Sequence, residues 1–397
     1  MKQTVEVASK CLNKHGEELC GDTVKVAVTP SSDATPSTVV VLSDGLGSGV
    51  KANILSTLTA QIACSLFEQG AKVEEVMDTL AETLPECQVR KLAYATFAAI
   101  KILDGTKAFL VEYDSPPLIL IRDGEIVDLA YTERTIHGRE VREASFDLHV
   151  GDYMVLVSDG YEHAGVGGTY RLGWGWENIS IAVKRWCRTG SDAAGLARAL
   201  ESTALRLYDQ QPGDDTTVVA MKVRPLVRAT VWTGPPADKE HDEQATAQLM
   251  ESEGLKIICG GTTAQIAARV LDQELKVEWV SPRQRKPGRS GRKQGTPPMA
   301  RLEGVDLVTE GIVTLGQTLE LLHGAETVHD LPRGDDAANR LARILLSADE
   351  VQFIVGTAIN PHQVADVLRG ETMRMFYVRD LVRELERRKK RVIVTTI

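Results

Sequence analysis

Val39–Gly49 reads VVVLSDGLGSG. The apolar, mostly β-branched run Val39 to Leu42 predicts a buried strand. It stops at Asp44-Gly45. Gly47 and Gly49 follow, and then a helix is expected from about Val50 to Gln69. Ile54, Leu58, Ile62 and Leu66 recur every four positions and predict its inward face. A carboxylate therefore stands where a buried strand turns into a helix. Gly45 has no Cβ, so its carbonyl can face whatever Asp44 binds. Carboxylate and carbonyl together are oxygen ligands for a hard divalent cation. Taken alone, the stretch also reads as an ordinary Asp-Gly turn.

The chain repeats this arrangement. Tyr153–Gly160 reads YMVLVSDG, an apolar run ending in Ser-Asp-Gly at Asp159. Pro212–Val219 reads PGDDTTVV, with Asp214 and Asp215 at the mouth of a β-branched run. Cys20–Val28 reads CGDTVKVAV, with Asp22 heading an alternating strand. If these strands lie side by side, their carboxylates converge, and carboxylates that close repel unless cations neutralise them. Asp residues without His or Cys partners favour Mg²⁺ or Mn²⁺ over Zn²⁺.

The ordered set GD, SDG, SDG and DDxT resembles the metal-dependent type-2C protein phosphatases, and SDGLGSG is similar to their bacterial SpoIIE-like group. YATFAAIKIL (94–103), YDSPPLILIRDG (113–124) and LGWGW (172–176) add to the resemblance, which covers about residues 1–225. It implies an α+β sandwich of two sheets flanked by helices. It also implies hydrolysis of phosphoserine or phosphothreonine on a bacterial regulatory protein, of the anti-anti-sigma type, by a hydroxide activated by two Mn²⁺ or Mg²⁺ ions. Asp44 and Asp159 would be catalytic. One ion would take Asp44 and the Gly45 carbonyl, the other Asp44, Asp159 and Asp214, and Asp22 would hold metal-bound water. The family pattern favours Asp214 over Asp215. Two departures stand out. Leu46 occupies the position where larger members carry His, and no Arg matches the one that grips phosphate in them. The competing reading is a catalytically weak phosphatase fold that serves as a partner-binding module.

The whole chain fits these expectations. At 397 residues it predicts more than one domain. A net charge of −9 argues against a nucleic-acid partner. No apolar run approaches the ~20 residues that span a bilayer, and the N-terminus lacks an apolar signal core. Six Cys without a CxxC pair predict reduced thiols, no zinc site and a cytoplasmic protein. A homo-oligomer is left open.

Within residues 1–225, a second helix is expected over 73–83, four strands between 94 and 130, and a polar connection with one edge strand over 131–150. Helices are expected at about 176–188 and 191–208. The Gly-rich segment 162–177 reads either as a surface loop or as a flap beside the metal site, and His163 and Arg171 lie in it. Arg224-Pro225-Leu226 marks a boundary. Residues 227–397 then alternate strand and helix, which predicts a smaller α/β domain with a mostly parallel sheet and a sensor or docking role. Its expected helices include about 361–369. Its loop Gly260-Gly261-Thr262-Thr263 opens a helix and reads either as a site for a small anionic ligand or as an ordinary βα turn. Pro282–Pro298 carries six Lys or Arg and no acid, and reads as a solvated loop or an anion- or partner-binding arm.

Overall fold

The structure, a computed structural model, describes residues 2–29, 37–84, 95–136, 138–278, 299–358 and 372–397. The basic segment 282–298 and the helix expected at 361–369 lie outside the described residues. The chain divides into two compact units, Met1–Pro225 and Leu226–Ile397.

The first unit holds two antiparallel sheets. One orders its strands β1 (Gln3–Leu12), β11 (Thr216–Pro225), β10 (Tyr153–Val157), β6 (Ile119–Arg122) and β7 (Glu125–Val127). The other orders β2 (Asp22–Thr29), β3 (Ser37–Gly45), β4 (Ala95–Leu103), β5 (Lys107–Tyr113), β9 (Arg139–Asp147) and β8 (Thr132–Ile136). Alternation along β3 shows why its apolar run is unbroken. Val40 and Leu42 face Met154, Leu156, Val219 and Met221 between the sheets. Val39 and Val41 face the outer helices α1 (Gly49–Gln69) and α2 (Val73–Thr83). On the other flank, α4 (Trp176–Cys187) and α5 (Ala193–Leu207) cover Ile119, Val155 and Val218. Strands covered on both faces need no polar alternation.

Three expectations are corrected here. The face of α1 that packs inward is Ala52, Ser56, Thr59, Ala60 and Ala63, with Leu55 and Phe67. Ile54 is 53% and Leu58 44% exposed. Small side chains let the helix axis approach the sheet, so only Ile62 and Leu66 of the larger stripe pack against the core, partly buried. The segment 131–150 forms a hairpin, β8 with β9, that completes the second sheet. The cysteines are not all free: Cys11 and Cys20 form a disulfide, while Cys64, Cys187 and Cys259 are buried thiols. Cys11 is the next-to-last residue of β1 and Cys20 lies two residues before β2, so the intervening loop brings their sulfurs together. Among the described residues no helix is long and apolar enough to cross a membrane.

In the second unit, β16 (Val305–Thr309), β13 (Leu255–Cys259), β12 (Arg228–Thr233), β17 (Glu350–Val355) and β18 (Arg391–Thr396) run parallel in that order. β14 (Lys276–Glu278) and β15 (Met299–Leu302) extend the β16 edge antiparallel. One face packs against α8 (Ile312–His323), α9 (Ala337–Ser347) and α10 (Met373–Arg387). The other packs against α6 (Asp242–Met250) and α7 (Gly261–Val270). The central strand β12, just past the Pro225 boundary, is an element that sequence reading did not separate. It is the first strand of the unit in the chain. The sheet grows outward from it in both directions, as in doubly wound folds.

Candidate metal centre

Asp22 and Asp44 are cross-strand partners on β2 and β3. Directly opposed residues in an antiparallel pair have Cα atoms about 4.5–5.5 Å apart, with side chains on one face. The Gly45 amide donates to the Gly21 carbonyl at 3.3 Å, which closes the ladder beside them. Asp159 opens the short helix α3 (Asp159–His163) at the end of β10, with Ser158 as its N-cap residue. Asp214 and Asp215 precede β11, which pairs with β10. The serines of the two SDG motifs tie these strand ends to their neighbours. The Ser43 hydroxyl donates to the Thr96 carbonyl at 3.0 Å. Ser158 Oγ accepts from the Thr217 amide at 2.8 Å, and the Ser158 amide donates to the Thr217 carbonyl at 2.9 Å.

The glycines are required by close approach. A β-carbon on Gly45 would stand 2.2 Å from the Ala52 carbonyl oxygen. One on Gly160 would stand 2.1 Å from the Asp215 carbonyl oxygen, and one on Gly21 2.7 Å from Asp215 Oδ2. Such distances are sub-van der Waals, so the acid–glycine pairs reflect packing of backbone layers, beyond turn propensity.

The acids feel one another. Asp44 is pushed up to about 10 by burial, with the charges of Asp22, Asp159 and Asp214 adding to it. Asp22 is pushed up to about 6 by burial and by Asp215 and Asp159, against the pull of the Thr217 and Ser158 hydroxyls. Asp214 is raised by burial and by Asp159, with Lys14 opposing. Asp44 thus feels the charge of each of the other three. Both Asp22 oxygens are buried with no hydrogen bond of normal geometry, and so is Asp215 Oδ2. Orphaned carboxylate oxygens in an all-oxygen cluster suit Mg²⁺ or Mn²⁺. Among the described residues, no three His, Cys, Asp or Glu side chains are drawn tightly around one cation-sized point.

Asp214 and Asp215 diverge. Asp215 is 4% exposed, and its Oδ1 accepts from the Lys14 amide at 3.0 Å. Asp214 lines an open cleft of about 980 Å³ together with Asp44, Gly45, Leu46 and Asp159. Lys14 Nζ lies 3.7 Å from Asp214 Oδ1. The cleft also takes in Arg139 and Arg142 from β9. Arg142 is committed to the buried Glu112 at 2.9 Å and to the Ser115 carbonyl. Arg139 lies over the Tyr113 ring at 5.9 Å, and among the described residues no carboxylate pairs with it.

Residues 35–224 match the family model for Stage II sporulation protein E (SpoIIE). That match lies within the N-terminal unit, which is SpoIIE-like over those residues. Among solved structures, the PP2C phosphatase domain of SpoIIE from Bacillus subtilis, with a fragment of its regulatory domain, is similar at 21% identity and a TM-score of 0.45. That match covers 56% of this chain and 64% of that one. The RsbU and RsbW domains of a Mycobacterium tuberculosis protein show 18% identity and a TM-score of 0.44, covering 68% of this chain and 71% of that one. The catalytic domain of the phosphatase PstP, solved with two manganese ions, shows 18% identity and a TM-score of 0.37, covering 56% and 100%. No curated protein matches the sequence.

Asp44, Gly45, Asp159 and Asp214 fall inside the matched SpoIIE region, whereas Asp22 and Lys14 precede it. The SpoIIE-type domain therefore gathers its acids from before and within the matched stretch. Arg139, Arg142 and Lys14 escaped the sequence reading. Arg139 and Arg142 carry no local motif and reach the cleft only through strand pairing. From the Gly-rich segment, Glu162 lines the cleft, and His163 and Arg171 do not.

Proposed function

We propose that the SpoIIE-type domain hydrolyses phosphoserine or phosphothreonine on a regulatory protein. The observation that carries this reading is the convergence of Asp22, Asp159 and Asp214 on Asp44. Asp44, the Gly45 carbonyl, Asp159 and Asp214 would hold two Mn²⁺ or Mg²⁺ ions, with Asp22 behind them orienting water. Ions bound there supply charge neutralisation at the phosphoryl oxygens and lower the pKa of an attacking water. Asp159 is fixed by the first turn of α3 and by the Ser158–Thr217 bonds, so it meets substrate without reorganising. Arg139, which no carboxylate among the described residues pairs with, offers its guanidinium at the cleft wall for the phosphate. Leu46 at the rim is 43% exposed and donates no proton, which leaves the serine alkoxide to be protonated by solvent in the open cleft.

An open cleft of about 980 Å³ supports a phosphorylated loop of a protein as the substrate class. An anti-anti-sigma-type regulator in the cytoplasm is the partner we favour. The test is turnover of p-nitrophenyl phosphate and of a phosphoserine peptide by the full chain with manganese, magnesium or EDTA. Cation-dependent release of phosphate, lost in Asp44→Asn, supports the reading. No turnover with any cation, together with retained binding of the phosphopeptide, would replace it with a partner-binding module.

A further inference from the structure

The second unit carries unpartnered polar groups at one edge of its sheet, Thr263 Oγ1 and Glu310 Oε2 among them. In a doubly wound sheet, ligands lie beyond the C-terminal strand ends, where strand order reverses. Here that point is β12, between β13 and β17. β12 runs into Gly234, β13 into Gly260 and β17 into Gly356.

Arg374, from the first turn of α10, lies across this point. A β-carbon on Gly234 would stand 2.1 Å from its Nη1, so the guanidinium covers that glycine. Nη1 donates to the Gly356 carbonyl at 2.6 Å. Among the described residues no carboxylate pairs with Arg374, and Nε and Nη2 have no partner. Burial pulls its pKa down. A part-buried cation without a counter-ion is costly unless an anion joins it.

α7 begins beside it. Gly260, its N-cap residue, has φ +145°, and a β-carbon there would stand 3.9 Å from the Gly234 amide nitrogen. No side chain caps α7. Thr263, 1% exposed, has a buried hydroxyl with no partner, 2.8 Å from that same β-carbon position. It stands over the N-cap glycine. Gly261 and Thr262 are exposed, and nothing lies within 4 Å of a β-carbon on Gly261, so this helix end is open. Just past β16, Glu310 has a buried carboxylate oxygen without a partner among the described residues, and a β-carbon on Gly311 would stand 3.4 Å from the Gly260 Cα.

We infer that this edge binds a small phosphorylated molecule bearing hydroxyl groups. Its phosphate takes the free donors of Arg374, the α7 amides and the Thr263 hydroxyl. Its hydroxyls donate to Glu310. Nucleotides and sugar phosphates share this chemistry.

The test is calorimetric titration of the full chain in EDTA, which silences the phosphatase centre, with AMP, ribose 5-phosphate and inorganic phosphate. AMP or ribose 5-phosphate should bind more tightly than inorganic phosphate. Arg374→Gln should weaken binding about tenfold or more, and Thr263→Val about threefold to tenfold. Thr263→Val keeps side-chain shape, so it carries the test should Arg374→Gln fail to fold. Tighter AMP than ribose 5-phosphate binding marks a nucleotide site, and equal binding marks a sugar phosphate site. Equal binding of inorganic phosphate overturns the part assigned to Glu310. No binding at millimolar probe, or unchanged binding in both variants, overturns the site.

Discussion

Asp22 and Asp44 face each other directly across β2 and β3, the former 5% exposed and the latter at the cleft floor. Folding forces two carboxyls into one small volume with Asp159 and Asp214 close by. Both carboxyls hold their protons more tightly folded than unfolded, where an Asp titrates near 4. Below about pH 4 both states are protonated and the cluster costs nothing. As pH rises through about 6 for Asp22 and on toward about 10 for Asp44, the folded metal-free domain must give up those protons and loses stability. In EDTA, melting temperature should fall between pH 5 and pH 8. Saturating manganese should remove that fall and release protons on binding, measured by calorimetry in buffers of different ionisation enthalpy. A melting temperature in EDTA that stays flat or rises with pH would contradict the burial of this pair.

Asp159→Asn removes a ligand charge at nearly constant volume. Turnover should drop about a hundredfold or more while the melting temperature in EDTA holds or rises, since a repelling charge is gone. Near wild-type turnover by the folded variant would remove Asp159 from the site.

The neighbours Asp214 and Asp215 should separate by experiment. Asp214→Asn should weaken manganese binding about tenfold or more. Asp215→Asn keeps an acceptor for the Lys14 amide and should leave manganese affinity within about threefold. The reverse outcome in a manganese titration would exchange their roles.

Arg139 is assigned to substrate. Arg139→Ala should raise KM for a phosphoserine peptide about tenfold and leave kcat and manganese affinity unchanged. A fall in kcat with KM unmoved would place Arg139 elsewhere in the reaction.

Much of this architecture could be read from the chain. Apolar runs ending in an acid marked β3 and β10, because both faces of those strands are covered. Helix α1 was found, but its inward face only in part, since Ile62 and Leu66 pack on the core while Ile54 and Leu58 are exposed. Periodicity reports large residues, whereas contact with the sheet selected Ala52, Ser56, Thr59 and Ala60. β12 was hidden by its position three residues beyond Pro225, where a linker is the simpler expectation. The Cys11–Cys20 bond spans only nine residues, but two Cys without a CxxC pair do not announce it, and the arrival of Arg139 depends on long-range strand pairing that no local window contains.

Gly21, Gly45 and Gly160 carry no charge and donate no side chain, yet each lies against an atom that forbids a methyl group. An alanine scan scored by turnover alone would rank these three beside the acids and inflate the apparent catalytic set. Scored in parallel by melting temperature in EDTA, the two groups part. Alanine at the glycines should cost about 1–3 kcal/mol through overpacking, whereas neutralising an acid should leave stability intact or improve it. The sign of the stability change thus sorts chemistry from masonry at this centre.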